Sequence, residues 1–185
     1  IRYFIQQDVT LKVISGDSPL TVSNIAKSAG VPDAEKYVDL SAVADKDYDR
    51  LSREYAVFGR VSPEDKRELV LAMQRDGHGV AMMGDGVNDI PALKAADCSI
   101  VMAGGSEAAS RVAQITLMSG GFEAMPQIVL EGRRVINNIT RAASLFLVKN
   151  IFSLLLSLVL LALPAMFTAQ MALEPESLQQ IVLMM

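Results

Sequence analysis

Two aspartates and an asparagine lie within five residues of one another, where an apolar run meets a helical pattern. They are Asp85, Asn88 and Asp89, in the segment MMGDGVNDIPAL (residues 82–93). A strand that ends in a glycine-flanked turn exposes its last side chains at the sheet edge where open α/β folds bind their ligands. Carboxylate oxygens there suit Mg²⁺, which is commonly held by one or two carboxylates together with water and substrate phosphate. A solvated Asp-Gly turn is the alternative for a short motif of this kind.

Two other elements carry residue types that suit phosphate binding. Ser15, Gly16 and Asp17 follow a strand-like run and precede a helical pattern, and the first amides of a helix attract anions. A simple helix N-cap is the alternative for this turn. Lys66 lies in the first turn of a later helix, where a cation opposes the helix dipole. Most lysines are only solvated, so each element by itself is weak evidence for a site.

The order of these elements resembles that in P-type ATPases, cation pumps that form an aspartyl-phosphate on a haloacid dehalogenase-like domain. That family carries Thr-Gly-Asp, then a lysine after an Arg-x-x-Pro element, then Gly-Asp-Gly-Val-Asn-Asp-x-Pro-Ala-Leu. The middle element here reads RVSPEDK (residues 60–66), and Ser15 replaces the usual threonine while keeping the hydroxyl. The resemblance extends from about Ile1 to the end of the chain. It implies ATP as a substrate and Mg²⁺ as a cofactor.

The resemblance also implies which residues bind phosphate and nucleotide. Ser15 and the Gly16 amide would contact the transferring phosphoryl group, and Lys66 would neutralise its charge. Asn88 would orient the phosphate, and Asp17 would organise the turn and the approach of the nucleotide. Charge neutralisation and alignment are the main demands of phosphoryl transfer.

Catalytic and metal-binding roles follow from the same resemblance. Lys66, Asn88 and Asp89 are the catalytic candidates. Asp85 and Asp89 are the candidates for Mg²⁺ binding, with Asp85 as the direct ligand and Asp89 in the metal shell. These roles need a phosphorylated partner group, which the same family supplies as an aspartate.

The nucleophile of that family lies in the sequence Asp-Lys-Thr-Gly-Thr, which does not occur in these 185 residues. An aspartyl-phosphate enzyme cannot work without such a nucleophile. We therefore expect a fragment that is inactive alone and that depends on the remainder of the pump for the nucleophilic aspartate, the nucleotide domain and other membrane helices. Two other classes stay open: a membrane-anchored phosphatase of the haloacid dehalogenase superfamily, and a non-catalytic membrane interaction fragment.

The elements that must position these residues alternate between β-rich and helical patterns. This alternation predicts an α/β fold with a parallel sheet, and the resemblance makes it haloacid dehalogenase-like (Rossmann-like) and incomplete. The predicted strands are Leu11–Ile14, Tyr55–Phe58, Val80–Met83 and Ser99–Met102. The predicted helices are Leu20–Ala29, Pro63–Arg75 and Ile90–Ala96. The polar segment from Asp33 to Arg53 is interpreted as a surface excursion.

The last third of the chain is apolar enough to cross a bilayer. Residues 142–163 match the ~20 residues that a transmembrane helix needs. Arg133, Arg134 and Arg141 precede the span, so the positive-inside rule places the globular part in the cytoplasm. We expect an integral protein of a bacterial plasma membrane. The predicted parts are the C-terminal portion of a phosphorylation domain (1–121), a stalk helix (122–141), the transmembrane helix (142–163), a non-cytoplasmic loop (164–177) and the truncated start of a further span (178–185).

Three polar residues within the span are candidates for binding the transported ion. Lys149, Asn150 and Ser153 fall on one arc of the helix, and such groups usually face a bundle interior or a water path. Alternatively, Lys149 extends to the interface and the serines bond their own helix backbone. By resemblance this is the fifth membrane helix of a pump, in which Asn150 matches an amide ligand and Ser153 stands where a carboxylate is expected. The resemblance leads us to expect Ca²⁺ or another hard cation as the transported ion.

Composition excludes several other partners. The net charge of −4 gives no electrostatic reason to expect nucleic acid. Cys98 and His78 are each the only residue of their type, so the chain can form neither an internal disulfide nor a histidine–cysteine zinc site. The expected partners are the lipid bilayer, ATP and the transported cation.

Overall fold

The computed structural model describes residues 1–118 and 121–172, with side chains up to residue 164. The strands are β1 (Val13–Ile14), β2 (Tyr37–Asp39), β3 (Val57–Gly59), β4 (Ala81–Gly84), β5 (Cys98–Val101) and β6 (Ile115–Thr116). The helices are α1 (Arg2–Ile5), α2 (Pro19–Ser28), α3 (Tyr48–Glu54), α4 (Pro63–Arg75), α5 (Ile90–Ala95), α6 (Glu107–Val112) and α7 (Met125–Ala172). Contacts divide the chain into two compact units, residues 1–128 and 129–185.

The strands of the first unit form two parallel sheets of three strands each. In one sheet β3 lies between β1 and β2, with Val57 opposite both Val13 and Tyr37. In the other, β5 lies between β4 and β6. The predicted parallel α/β arrangement is confirmed, although the four predicted strands are divided between two sheets. β1 and β4 are therefore both edge strands.

Two adjacent residues of β3 place cores on opposite faces of the first sheet, because side chains alternate along a strand. Val57 packs with Val22 of α2. Phe58 packs with Leu51 of α3 and Leu69 of α4. Both faces of this short sheet are thus covered by helices, which explains why its middle strand is wholly buried.

Helix α4 joins the two sheets. Leu69 packs in the cluster around Phe58, whereas the next residue, Val70, packs with Met82 of β4. The helix has the bounds that its sequence predicts, because Ser62 and Asp65 form a reciprocal capping box ahead of Pro63. The helix that carries Lys66 is therefore fixed at its start by a cap and further along by two cores.

The segment from Asp33 to Arg53 is more than the surface excursion that its polarity predicts. It contains β2 and all but the last residue of α3, and Leu40 and Leu51 are almost completely buried. Helix α6 and strand β6 are also absent from the predicted elements. These elements have only two to seven residues, which is too short for a hydrophobic period to stand out.

Most of the second unit that the structure describes belongs to α7, a single helix of 48 residues that begins at Met125 after a 3₁₀ turn. Pro126 lies in its first turn, where a proline is tolerated. Residues 122–164 are long and apolar enough to cross a membrane. The helix continues through Pro164 to Ala172, so the predicted loop does not begin at Pro164. A helix can accommodate an internal proline with a local adjustment. The remainder of that predicted loop and the predicted start of a further span lie outside the described residues.

Candidate active site

The site is centred on a shielded ion pair between two of the predicted residues. The Lys66 Nζ atom lies 2.6 Å from the Asp89 Oδ1 atom, and the two side chains are 14% and 10% exposed. Lys66 comes from the first turn of α4, and Asp89 ends a 3₁₀ turn that follows β4. Charge-assisted hydrogen bonds of this kind are short and strong. The tertiary structure therefore brings the RVSPEDK segment, which contains Lys66, into contact with the GDGVND segment, which contains Asp89.

The other oxygen of Asp89 organises the turn. Asp89 Oδ2 accepts hydrogen bonds from the amides of Asp85 at 3.3 Å and Gly86 at 3.2 Å. Burial by itself raises the pKa of Asp89, but the Lys66 ammonium and these amides more than offset that effect and lower the pKa below its usual value. Asp89 is consequently a carboxylate that holds both Lys66 and the backbone of the motif.

Gly84 makes this arrangement sterically possible. A Cβ atom at position 84 would lie 2.8 Å from the Asp89 carboxylate, which is closer than real Cβ contacts allow. The last residue of β4 must therefore lack a side chain so that Asp89 can lie against the strand end.

Asp85 and Asn88 are the exposed polar side chains of the motif. The Asp85 carbonyl accepts a hydrogen bond from the Ser106 amide at 2.8 Å, which anchors the loop before α6. Within residues 1–118 and 121–164, no three side chains of His, Cys, Asp or Glu gather into a metal-binding group. The accessible carboxylate of Asp85 fits Mg²⁺, because this ion takes few protein ligands and completes its shell with water and phosphate.

Ser15, Gly16 and Asp17 form a separate turn at the end of β1. The Ser15 hydroxyl accepts from the Asp17 amide at 3.1 Å and donates to Asp17 Oδ2 at 3.3 Å. The N-cap residue of α2 is Ser18, and its side chain makes no capping hydrogen bond. The Ser15 turn therefore does not serve as the N-cap of α2, which was the alternative interpretation. Gly16 and Asp17 are exposed. The turn is thus available to a ligand from solvent.

Backbone hydrogen bonds connect this turn to the start of the RVSPEDK segment. The amide of Arg60 donates to the Asp17 carbonyl at 2.8 Å, and the amide of Val61 donates to the Ser15 carbonyl at 3.1 Å. Arg60 has a φ of +50°, an uncommon conformation for a residue with a side chain. Among the described residues, no hydrogen bond or ion pair links the Ser15 turn directly to Lys66, Asp85 or Asp89.

One contributor was missed by sequence reasoning. A Cβ atom at Gly59, the last residue of β3, would overlap Pro19 at the start of α2. Gly59 therefore lets α2 begin close to the sheet, directly after the Ser15 turn. Nothing in the local sequence signals this requirement, because Pro19 lies forty residues earlier.

A groove of about 820 Å³ lies beside the two edge strands. Leu11, Lys12 and Ile14 line it from the β1 side, and residues 80–83 line it from the β4 side. Val70 and Met73 of α4 add apolar surface. The groove therefore borders β1, which leads into the Ser15 turn, and β4, which leads into the segment with Asp85 and Asp89.

The candidate ion ligands lie on α7 in the second unit. Lys149, Asn150 and Ser153 are all exposed. The Ser157 hydroxyl donates to the Ser153 carbonyl at 2.9 Å, which agrees with the alternative that serines here bond their own helix backbone. The roles of Lys149, Asn150 and Ser153 stay predictions.

The first unit defines the class of protein. A family model for haloacid dehalogenase-like hydrolases matches residues 1–97, and the chain belongs to this family. The catalytic domain of the CPx-ATPase CopB-B, from a study of its conformational changes upon nucleotide binding, has a similar fold. It shares 25% sequence identity at a TM-score of 0.53, over 68% of this chain and 41% of that one.

Relatives narrow the class further. The chain is 48% identical over 88% of its length to "Probable cation-transporting ATPase exp7" of Streptococcus pneumoniae, of which it covers 21%. It is 44% identical over 85% of its length to "Calcium-transporting ATPase CtpE" of Mycobacterium bovis, of which it covers 20%. It is 33% identical over 80% of its length to "Magnesium-transporting ATPase, P-type 1" of Escherichia coli, of which it covers 17%. The resemblance to cation-transporting P-type ATPases is confirmed, and the chain spans about a fifth of the length of these relatives.

Proposed function

We propose that this chain is part of a cation pump that couples formation and hydrolysis of an aspartyl-phosphate to cation transport. It supplies the C-terminal portion of the phosphorylation domain and one membrane helix. The observation that carries the proposal is the Lys66–Asp89 ion pair next to the exposed Asp85 at the end of β4. The names of the relatives add support, since they describe cation-transporting ATPases.

Phosphoryl transfer is mainly a problem of alignment and charge, and each side chain has a matching task. Lys66 holds a positive charge in a fixed place and neutralises the transferring phosphoryl group. Asp85 would hold Mg²⁺, which supplies further positive charge to phosphate oxygens when bound. The Ser15 hydroxyl and Gly16 amide bind phosphate oxygens, and Asn88 orients them. Asp89 keeps Lys66 and the turn in position.

The nucleophilic aspartate comes from a segment outside these 185 residues. The groove supports this part of the proposal, because β1 and β4 each leave one edge unpaired within the described sheets. Edge strands offer unpaired amides and carbonyls to an added strand. A strand seated in the groove would bury its side chains against Val70 and Met82. The chain by itself would then form no phosphoenzyme.

The membrane and ion assignments rest on α7. We infer that residues 142–163 cross a bacterial plasma membrane with the first unit in the cytoplasm, and that Asn150 contributes to the ion site beside Lys149 and Ser153. Ca²⁺ is the proposed ion, because the calcium-transporting relative matches more of this chain, at higher identity, than the magnesium-transporting one.

The decisive experiment is phosphorylation of the full-length protein by radiolabelled ATP. We expect an acid-stable, hydroxylamine-sensitive phosphoenzyme that requires Mg²⁺ and is lost in Asp85→Asn and Lys66→Ala. Lys27→Ala, on the exposed surface of α2, is the matched control and should be labelled normally. Hydrolysis of phosphomonoesters without any label from ATP would instead support the membrane-anchored phosphatase.

A further inference from the structure

A buried carboxylate outside the proposed site connects two distant segments of the first unit. Asp65 is 5% exposed. Its Oδ1 atom accepts hydrogen bonds from Lys46 Nζ at 2.8 Å and from Tyr48 OH at 2.5 Å. Its Oδ2 atom accepts from the amide and hydroxyl of Ser62 at 3.1 and 2.8 Å. Both oxygens are therefore fully used.

Only half of this network is needed to start α4. The Ser62 bonds complete a capping box, which satisfies the amides of Ser62 and Asp65 at the helix start without any contribution from Lys46 or Tyr48. Lys46 and Tyr48 add two donors from a segment 17 to 19 residues earlier. Burying an acidic side chain is costly unless it is paired and hydrogen-bonded, so these donors allow Asp65 to remain charged inside the fold.

The location of the network relates it to the candidate site. Asp65 directly precedes Lys66, and both lie in the first turn of α4. Tyr48 also packs against the apolar cluster that contains Val61 and Leu69, so its hydroxyl is held by a rigid ring. The network therefore adds a restraint from outside α4 to the helical turn from which the Lys66 side chain extends to Asp89.

We propose that Lys46 and Tyr48 are positioning residues that hold Lys66 at the phosphoryl-transfer site by way of Asp65. The proposal rests on the proposed function and adds residues that touch neither phosphate nor metal. It assigns a role to the polar segment between β2 and α3, which the sequence motifs do not include. Displacements of about 1 Å at a reacting group can reduce a rate by up to about a hundredfold.

The test uses the full-length protein with Lys46→Met and Tyr48→Phe, which remove one donor each and keep most of the side-chain volume. Lys46→Arg is the conservative variant. Arg50→Met is the matched control, since Arg50 pairs with the exposed Glu54 on the outer surface of α3. We expect phosphoenzyme formation in Lys46→Met and Tyr48→Phe to slow by about tenfold with an unchanged KM for ATP. Lys46→Arg should recover most of the rate, and Arg50→Met should retain all of it.

A second readout is independent of catalysis. The amides of Asp85 and Gly86 bond Asp89, which Lys66 holds, so displacement of Lys66 should speed hydrogen exchange in a peptide covering residues 84–90. Faster exchange in Lys46→Met and Tyr48→Phe, but not in Arg50→Met, supports positioning. A lower Tm with unchanged exchange and unchanged phosphorylation rate would overturn it. If the unmodified protein forms no phosphoenzyme, the proposed function fails, and the exchange result alone decides the positioning role.

Discussion

Asp89 holds the ammonium group of Lys66 with one carboxylate oxygen and, with the other, the amides of Asp85 and Gly86, which precede it in the same motif. The Lys66–Asp89 distance is 2.6 Å, and the amide bonds to Asp85 and Gly86 are 3.3 and 3.2 Å. One side chain therefore fixes both a cation and a turn. The accessible carboxylate in this arrangement belongs to Asp85, which leaves it as the residue open to a metal ion.

The ion pair should show strong energetic coupling. Lys66→Met leaves Asp89 shielded without its partner, which costs about 3 kcal/mol in pairs of this kind. We expect a clear drop in Tm for Lys66→Met and a smaller drop when Asp89→Asn is added, because the uncompensated charge is then gone. Thermal unfolding of the single and double variants measures this difference. Strictly additive losses would contradict the coupling.

Gly84 should be intolerant of a side chain. Gly84→Ala places a methyl group 2.8 Å from the Asp89 carboxylate, and overpacking of this kind costs about 1–3 kcal/mol. We expect a lower Tm and loss of phosphoenzyme formation. Gly79→Ala is the matched control, because nothing lies within 4 Å of the added carbon there. Equal effects of the two substitutions would show that the contact with Asp89 is unimportant.

Acid should weaken the network around Asp65. Burial raises the pKa of Asp65, but hydrogen bonds from Lys46, Tyr48 and Ser62 outweigh it and lower the pKa to about 2. A depressed carboxyl pKa adds stability that is complete above the unfolded value near 4 and is lost as the pH falls towards 2, about 2–3 kcal/mol in total. We expect Lys46→Met to raise the pKa of Asp65.

The measurement for this prediction is Tm against pH between 2 and 6. Because this loss runs from the unfolded pKa near 4 down to the folded pKa, the acid loss of stability in Lys46→Met should be smaller and should end at a higher pH than in the unmodified protein. Arg50→Met should follow the unmodified curve. Identical curves for all three proteins would show that Lys46 does not influence the titration of Asp65.

Helix α7 offers a test of the proposed ion binding. We expect Asn150→Ala in the full-length protein to reduce Ca²⁺-stimulated ATPase activity and Ca²⁺ uptake into proteoliposomes at least tenfold. An amide oxygen is a suitable ligand for this cation. Ser157→Ala is the control, because the Ser157 hydroxyl already bonds its own helix backbone. Unchanged transport in Asn150→Ala would remove this residue from the ion site, and stimulation by Mg²⁺ alone would change the proposed ion.

Sequence patterns predicted the elements that carry strong local signals. Helix α4 has the predicted bounds because Ser62, Pro63 and Asp65 form a complete start signal. The stalk helix and transmembrane helix predicted over residues 122–141 and 142–163 are parts of one helix, α7, which continues beyond them to Ala172. By contrast, β2 and α3 are short and polar on their outer surfaces, and they are held by burial of Leu40 and Leu51. Such contacts join residues far apart in the chain and leave no local pattern.

The sequence by itself determined which chemical groups are present and in what order, because the spacing within GDGVND and RVSPEDK is a local property of the chain. It also determined that a span long enough for a bilayer follows the globular part. Only the tertiary structure decided that Asp89 is engaged with Lys66 while Asp85 stays accessible, and that Asp65 joins Lys46 and Tyr48 to the start of α4. These outcomes depend on which side chains burial brings within hydrogen-bonding distance, and packing across the two sheets decides that.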